Sequence, residues 1–259
     1  MENEKEIKKI IEQSGNTFHC KVINFLKNKG WHTLVSPYYM DLGTNKAREI
    51  DLVAENHWVR KGDYSLGKHG SVIFKLFIEC KYIPQPTVFW FSNRDLTSAK
   101  KWVVANTGLP ENNTYTDQHH YLSPNLNVAK LFASKSKQGM EGEAIYKALN
   151  QSLNAMAYLR GRESLDPKFP KQDKPILSTV EMPVIVCNSF DDFYRVEMDK
   201  PDEVRPIDGN FQLEVNYAYI DNQNNRKSEY FLIDVIDFNK LDDFMKVLEG
   251  DKNIMFTIL

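Results

Sequence analysis

The stretch SVIFKLFIECKY, residues 71–82, is strongly apolar, yet it carries a glutamate and a lysine near its end. A run of this length and composition predicts a central strand that is buried on both faces of a sheet. Because successive side chains of a strand point to opposite faces, Glu79 and Lys81 share one face while Cys80 lies on the other. A charged group inside an apolar strand is costly unless a partner offsets its charge. The stretch therefore predicts both the centre of the fold and a charged site at one end of it.

The preceding strand-like stretch, REIDLVAE (residues 48–55), repeats this pattern. Alternation places Glu49, Asp51 and Val53 on one face of a single predicted strand. Asp51 and Glu79 are 28 residues apart (79 − 51), which leaves room for a loop between neighbouring antiparallel strands. Neighbouring strands lie about 5 Å apart, so we expect the two carboxylates to converge on one cation.

This set of residues suits metal-dependent hydrolysis of a phosphodiester. Mg²⁺ takes oxygen ligands and keeps several waters, and we expect Asp51, Glu79 and the main-chain carbonyl of Cys80 to bind Mg²⁺ or Mn²⁺. The ion would polarise the scissile phosphate and lower the pKa of a bound water. Lys81 would orient or deprotonate that water, or offset the charge that builds on the phosphate. The residues therefore predict a Mg²⁺-dependent phosphodiesterase.

Asp51 and the triplet ECK at 79–81, on successive hydrophobic strands after an opening helix, resemble the PD-(D/E)XK, or restriction-endonuclease-like, nucleases. The stretches EIDLV (49–53) and IECK (78–81) are especially similar to Holliday-junction-resolvase-like and Mrr-like members. The resemblance covers roughly residues 10–90. It implies a core of helix, three strands, helix and strand around a mixed central sheet. It also implies a DNA endonuclease of restriction, defence or repair, often a homodimer.

Four further residues are candidates for supporting roles. Many of the resembling nucleases carry a glutamate on the first helix, in a pattern like Gly-x-x-Phe-Glu, and this chain has His19 at that position. Glu12, two helical turns earlier, is the alternative acid on nearly the same face. Gln151 stands on a later predicted helix, where some members have a site glutamine, and Glu49 is a candidate second-sphere carboxylate. For each of these side chains, an ordinary solvated or capping role is the alternative.

Periodicity and turn residues predict an α/β order of elements along the chain. Helices are expected at residues 4–29, with a relaxation around Gly15, and at 95–106, 141–160 and 239–249. Strands are expected at 31–40, 48–55, 71–82, 88–91, 182–189, 211–220 and 229–236, and loops at 57–70, 107–125 and 161–175. We expect a nuclease core over residues 1–190, with a helical and loop insertion at about 92–140. A C-terminal strand pair and helix over residues 191–259 would pack on that core.

Charge is distributed unevenly between two parts of the chain. Residues 1–180 hold 25 Lys+Arg against 18 Asp+Glu, whereas residues 181–259 hold 8 against 17. The basic part is compatible with a polyanionic partner, DNA or alternatively RNA, although solvated surface charge gives the same pattern. No apolar run is long enough to cross a membrane, and the charged stretch MENEKEIKKI predicts no export signal. Three dispersed cysteines (Cys20, Cys80 and Cys187) are expected to be reduced thiols of a cytoplasmic protein.

Two competing hypotheses remain open at this point. The first is a catalytically inactive nucleic-acid-binding or assembly protein on the same fold, which the missing first-helix glutamate favours. The second is an unrelated α/β protein in which Asp51 and Glu79 pair with basic side chains. Elsewhere, His119 and His120 are adjacent and suggest a metal, but we expect them in a flexible polar loop without a third ligand.

Overall fold

A computed structural model describes residues 2–13, 15–60, 70–83, 85–123, 127–134, 144–162, 164–166, 176–221 and 223–259. The helices are α1 (Glu2–Gln13), α2 (Asn16–Asn28), α3 (Leu96–Thr107), α4 (Ala144–Leu159) and α5 (Leu241–Ile258). The strands are β1 (His32–Val35), β2 (Tyr38–Asp41), β3 (Lys46–Glu49), β4 (Leu52–Arg60), β5 (Gly70–Lys81), β6 (Thr87–Ser92), β7 (Val128–Ser134), β8 (Ile176–Cys187), β9 (Phe193–Glu197), β10 (Lys200–Pro206), β11 (Phe211–Ile220) and β12 (Arg226–Asp237). Among these helices, none combines the length and apolarity that a membrane span requires.

Ten of the described strands form one mixed sheet, in the order β1-β4-β5-β8-β12-β11-β7-β6-β9-β10. The strands β1, β4 and β5 are antiparallel neighbours, β5, β8 and β12 run parallel, and β11 returns antiparallel to β12. The strands β2 and β3 form a separate two-stranded ribbon. The predicted mixed α/β architecture is confirmed at this level. Strands from both the 1–190 and the 191–259 parts lie in this one sheet.

Strand β5 is buried from Gly70 to Cys80, as its apolar sequence predicts. Its two edges are hydrogen-bonded to β4 and β8, so the backbone polar groups are paired without water. Helix α4 packs against β5 and β8, and its Ser152 hydroxyl donates to the main-chain carbonyl of Phe77 (2.9 Å). Helices α2 and α5 also contact β5. This packing holds the acidic end of β5 in a fixed position.

The helix predicted over residues 4–29 is broken into α1 and α2 at Gly15, where the relaxation was expected. Gly15 has φ 70°, the left-handed region that glycine adopts without steric cost. Residues that have a β-carbon rarely adopt this conformation, so Gly15 determines where the helix breaks. Helix α2 then packs against β1 and β5 with Val22 and Leu26 buried.

Two predicted strands are each divided in the structure. Residues 31–40 form β1 and β2, separated at Ser36, which has φ 53° and precedes Pro37. Residues 48–55 are not one strand, because the chain leaves the β2–β3 ribbon after Glu49 and enters the main sheet at Leu52. Two main-chain bonds fix this crossing: Ser36 N–H donates to the Asp51 carbonyl (3.0 Å) and Ile50 N–H donates to the Pro37 carbonyl (3.2 Å). Asp51 therefore lies at a bend rather than inside a strand.

Other boundaries differ because distant packing sets them. Residues 57–60 of the expected loop over 57–70 belong to the end of β4, and residues 61–69 lie outside the described residues. The expected surface loop over 107–125 contains two short 3₁₀ turns with buried side chains. Strands β7, β9 and β10 were not predicted, and β8 and α5 are longer than predicted. The region 92–140, expected to be helical and loop, supplies β7 to the main sheet. Most of the linker predicted at 161–175 lies outside the described residues.

Candidate active site

The two acidic residues of the predicted site meet where β4 begins and β5 ends. The pairing of Leu52 with Ile78 places Asp51 next to Glu79 across the antiparallel ladder. Asp51 N–H donates to Glu79 Oε1 (3.3 Å), and Cys80 N–H donates to Asp51 Oδ2 (2.8 Å). Each carboxyl group therefore accepts a bond from the main chain beside the other acid. The structure thus brings the two acids together at the end of β5, although a bend rather than strand alternation places Asp51 there.

Two basic side chains complete the cluster. Lys81 Nζ donates to Glu79 Oε2 (2.6 Å) and lies 3.8 Å from Asp51 Oδ2. His19 reaches the site from α2, with its Nε2 3.6 Å from Asp51 Oδ2. The predicted amine therefore lies beside both acids, and His19 lies where the resembling nucleases have an acid. Lys81, His19 and Asp51 are partly exposed, so the cluster is open to a ligand on one side.

The Glu79 carboxyl group is the least accessible member of the cluster, with no exposed surface. Burial raises the pKa of Glu79 to about 8, and the Asp51 carboxylate adds to the rise while Lys81 opposes it. Burial alone would lower the pKa of the Lys81 ammonium, but the Glu79 and Asp51 carboxylates outweigh it and hold that pKa above its usual value. A cation bound at this point would favour the charged form of Glu79.

The donor atoms of the site fit a hard divalent cation. Asp51 and Glu79 supply carboxylate oxygens, which Mg²⁺ prefers. Cys80 N–H points to Asp51, and the carbonyl of a strand residue points the same way as its N–H, so this oxygen faces the site. The side chains of His19, Asp51 and Cys80 also place one donor atom each within 4.8 Å of one another. Burial raises the pKa of the Cys80 thiol well above its usual value, which disfavours the thiolate form.

The remaining predicted residues lie around this cluster rather than in it. Glu49 belongs to the β2–β3 ribbon, where it pairs with Tyr38, and not to the main sheet that carries Glu79. Its main-chain carbonyl accepts a hydrogen bond from Gln151 Nε2 (3.2 Å), which ties α4 to the ribbon two residues before Asp51. The side chain of Glu12 lies outside the described part of the chain.

A buried charged group farther along the same sheet face was not predicted. Glu55 and Lys75 are direct cross-strand partners, and Lys75 Nζ lies 3.2 Å from Glu55 Oε2. The His57 ring and the Ser164 hydroxyl also hydrogen-bond to Glu55 Oε1. Burial would raise the pKa of Glu55, but these bonds and the Lys75 charge lower it to about 2. The lysine inside the apolar run VIFKLF was the available sequence signal for this pair.

The prediction that His119 and His120 lie in a flexible polar loop without a third ligand is wrong, because the segment forms a 3₁₀ turn and Asp251 places a carboxylate oxygen within 4.8 Å of a nitrogen of each ring. His119 is fully buried, and the His120 ring hydrogen-bonds Asp251 of α5 through Nδ1 and lies 3.4 Å from Asp234 of β12 through Nε2. Tyr121 donates to the same Asp234 oxygen (2.6 Å). The acids that neighbour the two histidines come from residues more than 110 positions away, which no local pattern indicates.

The two clusters lie on opposite faces of the sheet. Asp234 pairs with Val184, which pairs with Ile78, so Asp234 shares the face of the Ile78 side chain. Glu79, one residue later, points to the other face.

Comparison with known protein families, with curated proteins and with solved structures gives no significant match to this chain.

Proposed function

We propose that this protein is a metal-dependent endonuclease that hydrolyses phosphodiester bonds of DNA, on a core of the PD-(D/E)XK kind. One observation supports the proposal most directly: Lys81 Nζ lies 2.6 Å from Glu79 and 3.8 Å from Asp51 at the partly exposed end of β5. Two acids and an amine in this arrangement are the residues that phosphodiester hydrolysis with a hard metal requires. The resemblance of EIDLV and IECK to such nucleases agrees with this chemistry.

Each residue has a distinct role in the proposed reaction. Asp51, Glu79 and the Cys80 carbonyl would hold Mg²⁺ or Mn²⁺, which when bound polarises the phosphate and makes a bound water more acidic. Before a cation binds, the Glu79 and Asp51 carboxylates hold the pKa of the Lys81 ammonium above its usual value. The ammonium would donate hydrogen bonds to the attacking water or to a phosphate oxygen. His19 orients the Asp51 carboxylate from the helix side.

The experiment is a plasmid cleavage assay with Mg²⁺ or Mn²⁺, using wild-type protein, Lys81→Ala and Asp51→Asn. We expect cleavage by the wild type and a loss of about 100-fold or more in each variant, the usual effect of removing one charge-stabilising group. Lys246→Ala, at a side chain 77% exposed on α5, is the matched control and should cleave normally. Cleavage that persists in Lys81→Ala would show that the activity is not that of this site.

A nucleic-acid-binding protein without catalysis is the second candidate function. The observation that favours it is His19, which lies 3.6 Å from Asp51 where the resembling nucleases carry an acid. For this candidate the outcome would be retardation of DNA in a gel without cleavage in either metal. A His19→Glu variant that gained cleavage would identify the missing acid as the cause.

A further inference from the structure

A cavity of about 800 Å³ opens beside the acidic cluster, between α4, the β2–β3 ribbon and β11. Volumes of this size are typical of ligand sites. Two residues connect it to the cluster. Gln151 lines the cavity, and its Nε2 donates a hydrogen bond to the Glu49 carbonyl. Tyr39 also lines the cavity, and the charge of the Glu79 carboxylate contributes to raising the pKa of its hydroxyl. The cavity is therefore an extension of the candidate active site.

One wall of the cavity is a stripe of α4. Tyr146, Asn150, Asn154 and Tyr158 follow one another at intervals of four residues and all line the cavity. Residues four apart lie on one helix face. The opposite face of α4 is apolar and packs on β5 and β8. Helix α4 thus presents a stripe of rings and amides to the cavity, with the charged Lys147 beside it.

The facing wall is formed by β11. Tyr217 and Tyr219 are two residues apart, so their side chains point to the same face of the sheet. Their cross-strand partners on β12 are odd-numbered and therefore share the face of Val235, which lies beside Ile185 and Glu79 in the sheet. The two rings therefore share the sheet face of Glu79. The Tyr217 hydroxyl donates to Asn150 Oδ1 (2.8 Å), which fixes this ring at the cavity edge.

At the inner wall, the Tyr39 hydroxyl has no hydrogen-bond partner among the described residues, although the side chain is only 2% exposed. A buried hydroxyl without a partner costs free energy, so its retention points to a ligand. Burial and the neighbouring Glu79 and Asp41 carboxylates raise the pKa of Tyr39, which keeps the hydroxyl protonated. It is available as a donor to an acceptor atom in the cavity.

The rim of the cavity is basic. Lys147, Arg226, Lys227 and Arg48 line it, against a single acid, Asp41, whose carboxylate is already bonded to Arg48 (2.7 Å). Basic side chains around aromatic rings are the combination that binds single strands of nucleic acid, because phosphates follow the charges and unpaired bases stack on the rings.

We propose that this cavity binds an unpaired stretch of DNA next to the bond that is cut, with bases on the rings of Tyr146, Tyr217 and Tyr219. The proposal rests on the nuclease function and names its substrate: single-stranded DNA or a duplex with a single-stranded flank. Bases inside a duplex are already stacked on one another and offer no face to a protein ring. The Tyr39 hydroxyl donates to an acceptor of the bound nucleotide.

The test is a binding measurement on Lys81→Ala protein, so that cleavage does not interfere. Fluorescence anisotropy is followed with a labelled oligo(dT) of about 12 nucleotides, within the usual site size, and with a duplex of the same length. We expect tighter binding of the single strand. Adding Tyr217→Ala or Tyr146→Ala should weaken it by between about 5- and 150-fold, the range that stacking on one ring supplies.

Two kinds of variant separate stacking from loss of folding. Tyr217→Phe and Tyr146→Phe keep the rings and should keep most of the affinity. Tyr115→Ala, at a tyrosine 48% exposed in the segment that contacts α5, is the matched control and should bind as the parent does. Tyr39→Phe should weaken binding without lowering the melting temperature, because its hydroxyl has no protein partner among the described residues.

Equal affinity for single strand and duplex, or affinities unchanged by the alanine variants, would overturn the proposal. Failure of this proposal and failure of the nuclease function are distinguishable. Plasmid cleavage by the wild type with no single-strand preference would leave the nuclease and remove the cavity site. Single-strand binding lost in Tyr217→Ala, with no cleavage by the wild type in any metal, would keep the cavity site and remove the nuclease.

Discussion

Replacing Lys75 with methionine should destabilise the protein by about 3–5 kcal/mol, the usual cost of leaving a buried charge without its partner. Lys75 is 4% exposed and Glu55 is 0% exposed, and 3.2 Å separates Lys75 Nζ from Glu55 Oε2. At that distance and an effective dielectric constant of about 20, the attraction is about 5 kcal/mol before the cost of desolvation. Methionine nearly conserves the volume of lysine, so the loss measures charge and not a cavity.

The assay is urea denaturation of the wild type, Lys75→Met and the double variant Lys75→Met/Glu55→Gln at pH 7. The double variant, which has no stranded charge, should recover a large part of the loss. Lys100→Met is the matched control, because Lys100 lies 2.9 Å from Asp117 in a pair that is partly exposed to solvent. Such a pair contributes less than about 1 kcal/mol.

The same pair predicts how the loss depends on pH. The folded pKa of Glu55, about 2, lies below its ordinary value of 4.5. Its contribution to stability is therefore present above pH 4.5 and is lost as the pH falls through about 2. The difference in free energy of unfolding between the wild type and Lys75→Met should therefore become smaller as the pH falls through that window. A Lys75→Met loss no larger than that of Lys100→Met would refute the reasoning.

Three further predictions follow from other parts of the fold. The acids near His120 raise its folded pKa from 6.5 to about 10, although burial alone would lower it. The stabilisation from His120 is therefore complete below pH 6.5 and lost as the pH rises through about 10. In urea titrations, the His120→Asn variant should have a free energy of unfolding that changes less with pH over this window than that of the wild type. Gly15→Ala should destabilise by about 1 kcal/mol because of its positive φ, whereas Gly250→Ala, inside α5 with open space at its β-carbon, should stabilise by about 0.5–1 kcal/mol in thermal melts. The Lys81→Arg variant should retain DNA binding but lose cleavage in the plasmid assay, because the planar guanidinium does not fit the position of the compact ammonium between two acids.

The sequence predicts those parts of the fold and of the site that depend on residues close together in the chain. The apolar run 71–82 identifies β5, and alternation within it places Glu79 and Lys81 together at one end. Asp51 stands out as a charged residue in an apolar stretch. Only the spacing of 28 residues and the expectation of neighbouring antiparallel strands were needed to bring it to Glu79, and β4 and β5 are such neighbours.

The features that sequence did not predict depend on contacts between distant residues. The bend at Asp51 arises from bonds between Ser36, Pro37 and the segment 50–51, which no periodicity indicates. Burial of His119 and His120 requires α5 and β12 to pack over the 3₁₀ turns. The cavity beside the site requires α4 and β11 to face each other, although the four-residue spacing of tyrosines and asparagines on α4 was visible in the sequence.

The central claim is that Asp51 and Glu79 bind one divalent cation, and a crystal structure of the protein soaked in Mn²⁺ tests it most directly. We expect anomalous density for one ion at about 2.2 Å from a carboxylate oxygen of each residue, with Lys81 beside it. Density at another position, or none between the two carboxyl groups at saturating Mn²⁺, would contradict the claim.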